Sequence, residues 1–389
     1  MRIEDCIERQ IKGLWGTDFS DIGIPVIKTN NLSYEGLIDY SDVCKRNITP
    51  EQASGNYLQF GDLLIEKSGG TKTHSVGYVS YFDAENDKYL CNNFILALRP
   101  KNDIFSKFLF YQIHYKYESG QFFDCFNKTT GIQNLKVKDY LAKEIVLPSL
   151  EEQKHIAAVL DKCTALIAKY KLMLEKYDTL IKSRFIEMFG DPVINSKNWQ
   201  IKPIGDSCFV TKLAGFEYSK YIHYSDTGDV VMVKAQNVKN GKLNNKDLSY
   251  ISNEVSDSLP RSQLAKNDVV MTYVGANIGD VAVIDNKYKY HLAPNVAKIR
   301  PNFTIYNSVF LVQLLMMLRN YIVGNSANTA KAAIGMEKIR LLKLPIPPID
   351  LQNDFASFVQ QIDKSKFAVQ KSLEKTEILY KSLMQTYFG

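Results

Sequence analysis

The segment richest in chemistry is Glu66–His74, which reads EKSGGTKTH. Gly69 and Gly70 allow a close backbone approach, and Lys67, Ser68, Thr71, Lys72, Thr73 and His74 are all potential hydrogen-bond donors. Donors grouped around a bare backbone suit phosphate oxygens and base edges. In the later half of the chain, Thr272–Gly279 (TYVGANIG) takes the corresponding place, with Thr272, Tyr273, Gly275 and Asn277 in it. Lys212, Tyr218, Lys220, Tyr221, Lys234, Gln236, Asn237 and Arg261 are expected to surround that loop. Asn and Gln can pair bidentately with adenine, while Arg and Lys read guanine or hold phosphates. Lys28 and Asn31, within Val26–Leu32 (VIKTNNL), match Lys234 and Asn237 within Met232–Val238 (MVKAQNV) and join the same candidate set. Each loop alone is a weak signal, because an ordinary hairpin turn explains Gly69-Gly70 equally simply.

Other chemistries find less support. The sequence holds no GxxxxGK[ST] loop, no GxGxxG fingerprint, no HExxH and no GxSxG. The five histidines, at 74, 114, 155, 223 and 291, are scattered, and no spacing of carboxylates singles out a catalytic pair. Six cysteines, at 6, 44, 91, 125, 163 and 208, form no CxxC pair, so neither a zinc site nor a disulfide framework is expected. They read as thiols of a reducing compartment.

The elements that carry these loops come in duplicate. Leu174–Gly190 (LEKYDTLIKSRFIEMFG) and Leu373–Gly389 (LEKTEILYKSLMQTYFG) agree at 8 of 17 positions without a gap. Upstream, Leu147–Gln153 aligns with Ile346–Gln352 at the same offset. Arg99-Pro100 resembles Arg300-Pro301, and Leu58–Gly69 resembles Leu264–Gly275 more faintly. The chain therefore reads as variable part, helix, variable part, helix, with boundaries at 1–147, 148–190, 191–345 and 346–389. Both variable parts read as mixed α and β. Short β-rich runs such as Asp62–Ile65 and Gly77–Phe82, or Asp268–Tyr273 and Asp280–Ile284, accompany one apolar helix in each, near Phe105–Tyr117 and Val309–Val323. The opening of the first half is short against Trp199–Gly205 of the second, so its first strand is expected to be trimmed or completed by the C-terminal helix.

Each helical part begins at a proline, Pro148 in the first and Pro347-Pro348 in the second. In the first helix Ile156, Cys163, Tyr170 and Tyr177 fall at one heptad position and Val159, Leu166, Met173 and Leu180 at the other. Leu160, Ile167, Leu174 and Ile181 broaden the stripe. The second helix offers Phe355, Phe358, Val359, Ile362, Val369, Leu373, Leu379 and Leu383. The expected fold is α+β: two mixed α/β domains and two long helices that pair as an antiparallel coiled coil, in a pseudo-two-fold internal repeat.

The bulk properties agree with a globular, non-membrane protein. Of 389 residues, 45% are hydrophobic and 23% charged, enough for two or three cores. The longest apolar-rich stretch, Val309–Leu318, has about half the length a membrane span needs, and Met1–Gln10 lacks a signal-peptide pattern. Forty-eight basic against 42 acidic residues leave +6, which permits a polyanionic partner without demanding one.

Taken together, the residues resemble the specificity (S) subunit family of type I restriction–modification systems over essentially the whole chain. The resemblance rests on the alternating order, on the two helix starts Pro148–Gln153 and Pro347–Gln352, and on the helix ends Phe189-Gly190 and Phe388-Gly389. Lys212–Ile222 (KLAGFEYSKYI), Leu259–Leu264 (LPRSQL), Asp268–Gly279 and Phe60–Val79 look like parts of target recognition domains. The resemblance implies that the chain is not itself an enzyme. Each domain would read one half of a split, asymmetric double-stranded DNA site. The helices would set the gap and dock two methyltransferase (M) subunits, with restriction (R) subunits joining them. S-adenosylmethionine, ATP and Mg would be held by those partners and no cofactor by this chain, in a prokaryotic cytoplasm. Two rivals remain: a coiled-coil scaffold without specific DNA binding, disfavoured by the polar loops, and an autonomous nuclease or methyltransferase, for which no cofactor loop or acidic cluster is found.

Overall fold

The computed structural model describes residues 1–70, 74–128, 132–324 and 333–389. They divide into two compact units, one made of Met1–Lys171 with Lys371–Gly389 and the other of Leu172–Gln370. Each unit thus owns one end of each long helix, Leu150–Phe189 and Ile349–Phe388, both of 40 residues.

The first unit is built on a four-stranded antiparallel sheet. Ile7–Ile11 pairs with Ile95–Pro100, which pairs with Leu63–Glu66, which pairs with Val79–Tyr81. The second unit repeats that order with Cys208–Lys212, Val296–Pro301, Val269–Thr272 and Val281–Val283. The central strands read as unbroken apolar runs because both of their faces are covered. Leu63 and Ile65 point into one core and Leu64 into another; Val269 and Met271 divide from Val270 in the same way. Beside each sheet a parallel pairing recurs, Val26-Ile27 with Leu90-Cys91 and Val230–Val233 with Lys289–Leu292. The helices Ser106–Glu118 and Ser308–Met317 also correspond. The repeat seen faintly in the sequence is therefore a repeat of topology.

The shared glutamine at each long-helix start has a specific task. Gln153 accepts from the Phe105 amide (2.9 Å) and donates to the Pro148 carbonyl (2.9 Å). Gln352 accepts from the Asn307 amide (3.0 Å) and donates to the Ile305 and Pro347 carbonyls (2.9 and 2.8 Å). Both side chains are buried, so each ties the first turn of a long helix to the start of the shorter helix before it. Removing such a clamp strands buried donors and acceptors together. Gln352→Leu should cost its unit roughly 2–4 kcal/mol, seen as a lower urea midpoint with unchanged m-value; a loss below 0.5 kcal/mol, roughly the size of an ordinary surface change, would deny the clamp.

Within each unit the two helical segments run antiparallel. In the first, Ile156, Ala157 and Leu160 share a core with Phe108, Tyr111, Met384 and Phe388. The Tyr111 hydroxyl donates to Asp161 (2.6 Å), and Phe108 meets Phe388 at 5.5 Å. In the second, Phe185 and Phe189 pack edge-on against Phe355 at 5.6 and 5.4 Å, and Lys366 pairs with Asp178. The helix-end Phe189 and Phe388 are thus core plugs. Gly190, with φ +78°, turns the chain away where a side chain would strain it.

The heptad reading needs one correction. Ile156 and Cys163 are buried and Tyr170 and Tyr177 half-buried, as expected, but in the second row Leu160 and Ile181 are buried, with Ile167 and Leu174 half-buried between them. Val159 and Met173 are only half-buried, and Leu166 and Leu180 are 42% and 45% exposed. On the second helix Phe355, Val359 and Leu373 are buried and Phe358, Ile362, Val369 and Leu383 half-buried, while Leu379 is 52% exposed and Met384 takes a core place. Adjacent rows lie about 100° apart on a helix, so two apolar rows compete for one seam and packing selects between them.

The two halves differ at their openings. Gln200–Pro203 forms a ladder with Lys343–Ile346, whereas Arg2 makes a single bridge with Glu144. Ile3 and Cys6 then share their core with Met384 and Phe388 of the C-terminal helix.

Candidate nucleic-acid interface

In the first unit the glycine segment is not a simple hairpin turn. Ser68-Gly69 forms a short strand against Gln133–Leu135, with Gly69 at φ +136° and Gly70 at φ +70°. The Ser68 hydroxyl donates to the Asn134 side chain. The backbone of Lys67 donates to Phe94 (2.8 Å) and accepts from Leu135 (2.8 Å), leaving its side chain half-exposed. His74 is exposed and stacks on Tyr34 at 3.7 Å; Tyr34 in turn meets Tyr78 at 4.5 Å. Thr71, Lys72 and Thr73 lie outside the described residues.

In the second unit, cations and aromatic rings interleave. Lys212 lies over Tyr273 (5.5 Å), Lys220 over Tyr221 (5.0 Å) and Lys234 over Tyr224 (6.0 Å), and Tyr218 meets Tyr224 at 6.0 Å. Lys234 also donates to the Ser249 hydroxyl (2.9 Å). Arg261 reaches both carboxylate oxygens of Glu217 at 3.1 Å, and Glu217 accepts from the Ala214 amide (2.9 Å). Arg261 is therefore exposed but held in one orientation. Gln236 and Asn277 are exposed; Gly275, at φ +106°, has open space where a Cβ would stand. Such a surface has the parts that hold phosphates and bases: mobile ammonium groups, a fixed guanidinium, exposed amides and ring faces.

Two expected contact residues are used otherwise. Asn31 accepts from the Lys28 amide (3.0 Å) and donates to the Asp39 and Asp42 carbonyls. Asn237 does the same with the Lys234 amide (3.1 Å) and the Asn244 and Lys246 carbonyls. Both amides are spent on closing their own loops and both are buried. The recurring Lys-x-x-Asn is a turn motif, and its asparagines are unavailable to bases. Thr272 is fully buried too. Lys28 pairs with Asp42 at 3.3 Å.

Residues beyond the expected set also shape these surfaces. Tyr34 and Tyr224 belong to them; Tyr34 follows the Asn31 turn by three positions, which is its one sign in the sequence. Lys298 is buried, donating to the Arg261 and Gln263 carbonyls, the second at 2.9 Å, and burial pushes its amine down to about 8. It braces the segment that presents Arg261.

A family model described as "Type I restriction modification DNA specificity domain" matches residues 17–176 and again residues 196–379. The chain belongs to the type I restriction–modification DNA specificity family. Its double match coincides with the repeated topology. Among relatives of this family, the EcoBI specificity subunit of Escherichia coli is 22% identical over 74% of this chain. This chain spans only 64% of that relative's length. The putative MjaX specificity subunit of Methanocaldococcus jannaschii is 22% identical over 98% of this chain and 90% of its own. An S-subunit crystal structure from M. genitalium has the same fold, with TM-score 0.63 at 14% identity, over 100% of this chain and 95% of that one. A chain solved in work on complex assembly and conformational transition of the type I R-M system gives TM-score 0.56 at 16% identity. Among the described residues no helix is long and apolar enough to cross a membrane.

Proposed function

We propose that this chain reads a split, asymmetric DNA site for a type I restriction–modification complex and performs no chemistry itself. The observation that carries the reading is the repeated frame with unlike surfaces. Each unit has the same sheet, the same parallel pairing and the same asparagine-closed turn. The exposed residues differ: His74 stacked on Tyr34 in one, and Lys212, Lys220, Tyr221 and Arg261 in the other. A common frame with different reading residues suits two different half-sites.

On this reading the domains are residues 1–147 and 191–345, joined by the helical regions 148–190 and 346–389, which pair as an antiparallel coiled coil and set the gap between half-sites. Exposed Leu166, Leu180 and Leu379 are better placed to meet two M subunits than to form the seam. R subunits join the M subunits. S-adenosylmethionine, ATP and Mg reside on those partners, in the cytoplasm. The wider complex is supported by relatives bearing the specificity-subunit name and by a structural neighbour from a study of type I complex assembly.

The test is a selection from random duplex DNA at near-physiological salt, with the chain co-expressed with its M subunits. The expected result is a motif of two unlike short halves and a fixed gap. Retention that is purely salt-sensitive and yields no motif would instead favour a scaffold with nonspecific phosphate contacts.

A further inference from the structure

Two strand-end positions, one in each unit, share a feature that the fold does not explain. Glu66 ends the strand Leu63–Glu66 and faces Ile95; Thr272 ends Val269–Thr272 and faces Val296. Their backbones are held alike. The Glu66 amide donates to Tyr78 and its carbonyl accepts from Gly77, just as the Thr272 amide donates to Asp280 and its carbonyl accepts from Gly279. Glu66 is 6% exposed and Thr272 fully buried. Yet Glu66 Oε2 and Thr272 Oγ1 have no hydrogen-bond partner among the described residues. A buried polar atom left unpaired is costly, and a buried carboxylate without a cation more so. Four residues earlier, just before the same strands, Asp62 and Asp268 are also buried but satisfied by Arg99 and Arg300. The frame satisfies these acids, whereas both strand ends stay unsatisfied, as do a few other buried atoms such as Ser207 Oγ and Ser262 Oγ.

What lies over Glu66 is backbone. A Cβ on Gly69 would stand 2.6 Å from Oε1, and the Gly70 amide donates to Oε1 at a long 3.4 Å. Tyr78 and Tyr117 lie close enough to feel the Glu66 charge and pack with Tyr34 in one cluster, so the surroundings are aromatic. Glycines change their path at little steric cost, which makes Gly69-Gly70 the way in for a flat ring edge.

We propose that Glu66 and Thr272 are equivalent base-reading positions, the Glu66 carboxylate accepting from the exocyclic amino group of a cytosine or adenine in the first half-site. This rests on the specificity reading given above. Burial pushes the Glu66 carboxyl up, and an amino hydrogen arriving at Oε2 favours its charged form; that carboxylate accepts from the amine and rejects the carbonyl edges of guanine and thymine, whereas a hydroxyl serves either as donor or acceptor. The difference between Glu66 and Thr272 then makes one base position strict in the first half-site and permissive in the second.

The test uses the complete chain in complex with its M subunits and compares wild type with Glu66→Gln, Glu66→Met and Thr272→Val by selection from random duplexes. Wild type should show cytosine or adenine at one position of the first half-site, and the selection itself tells which. Glu66→Met should lower discrimination at that position alone by about 5- to 150-fold, leave the other half-site intact, and leave the melting temperature equal or higher. Unchanged preference at every position in the Glu66 variants would overturn the proposal, as would a lower melting temperature with loss of all binding, which assigns Glu66 to the fold. If wild type itself yields no split motif, the specificity reading fails; a split motif in wild type with unaltered variants defeats only the present inference.

Discussion

Arg99→Ala will destabilise the first unit by about 3–5 kcal/mol, the range for removing one partner of a buried ion pair. Asp62 is buried and receives both Arg99 nitrogens, at 2.9 and 2.8 Å, while Arg99 also donates to the Tyr57 carbonyl. Asp62 further accepts from the Gln59 amide at 2.8 Å, which fixes the turn before the strand. Alanine would leave a carboxylate in the interior with one backbone donor. Burial already pushes the Asp62 carboxyl upward against the pull of Arg99, so the orphaned acid would take up a proton rather than stay charged. The matched change Arg300→Ala should cost less. Asp268 is equally buried and bonded at 2.6 and 2.7 Å, but the Arg300 side chain is 41% exposed against 15% for Arg99, so water substitutes for it more readily. Hydrogen exchange resolved by unit measures both. Equal, sub-kilocalorie losses would mean that the pairs lie in water rather than in the core. Replacing Asp62 and Arg99 together by apolar residues should cost far less than Arg99→Ala alone.

Replacing Lys212, Lys220 and Lys234 together with alanine should flatten the salt dependence of DNA binding by up to roughly 0.9 per lost phosphate contact, or about 2–3 in log–log slope. All three ammonium groups hover at ring faces, at 5.5, 5.0 and 6.0 Å, and none is locked in an ion pair among the described residues. Such groups can turn toward phosphates at small cost. Affinity should fall together across all sequences, because phosphate contacts carry no sequence information. A full slope in the triple variant would place the DNA on another face. Lys67→Ala in the first unit should lower the slope by about one contact at most, since Lys67 is the described lysine of the segment Glu66–His74.

The sequence disclosed the frame better than the surface. Prolines and repeated apolar spacing mark the long helices, because helix boundaries and buried stripes are local requirements. The choice between the row of Leu166 and Leu180 and the row of Ile167 and Ile181 was not legible, since both are apolar and only the partner decides. Asn31 and Asn237 misled for a related reason. An asparagine amide serves a loop backbone or an adenine with the same two atoms, and only the closed loop shows which. Glu66 left a subtler sign, an acid at the end of the apolar run LLIE, that spacing rules do not weigh.

The composition of the two units sets an order of manufacture. The second unit is one continuous stretch, Leu172–Gln370, whereas the first needs Lys371–Gly389 to join Met1–Lys171. On a ribosome adding about 5–20 residues per second, the first unit would wait roughly 10–40 s between emergence of its first segment and arrival of Met384 and Phe388, which belong to the core of Ile3 and Phe108. The second unit meets no such delay. The N-terminal unit therefore closes only when Met384 and Phe388 arrive, with part of its apolar interior open to chaperones and proteases until then.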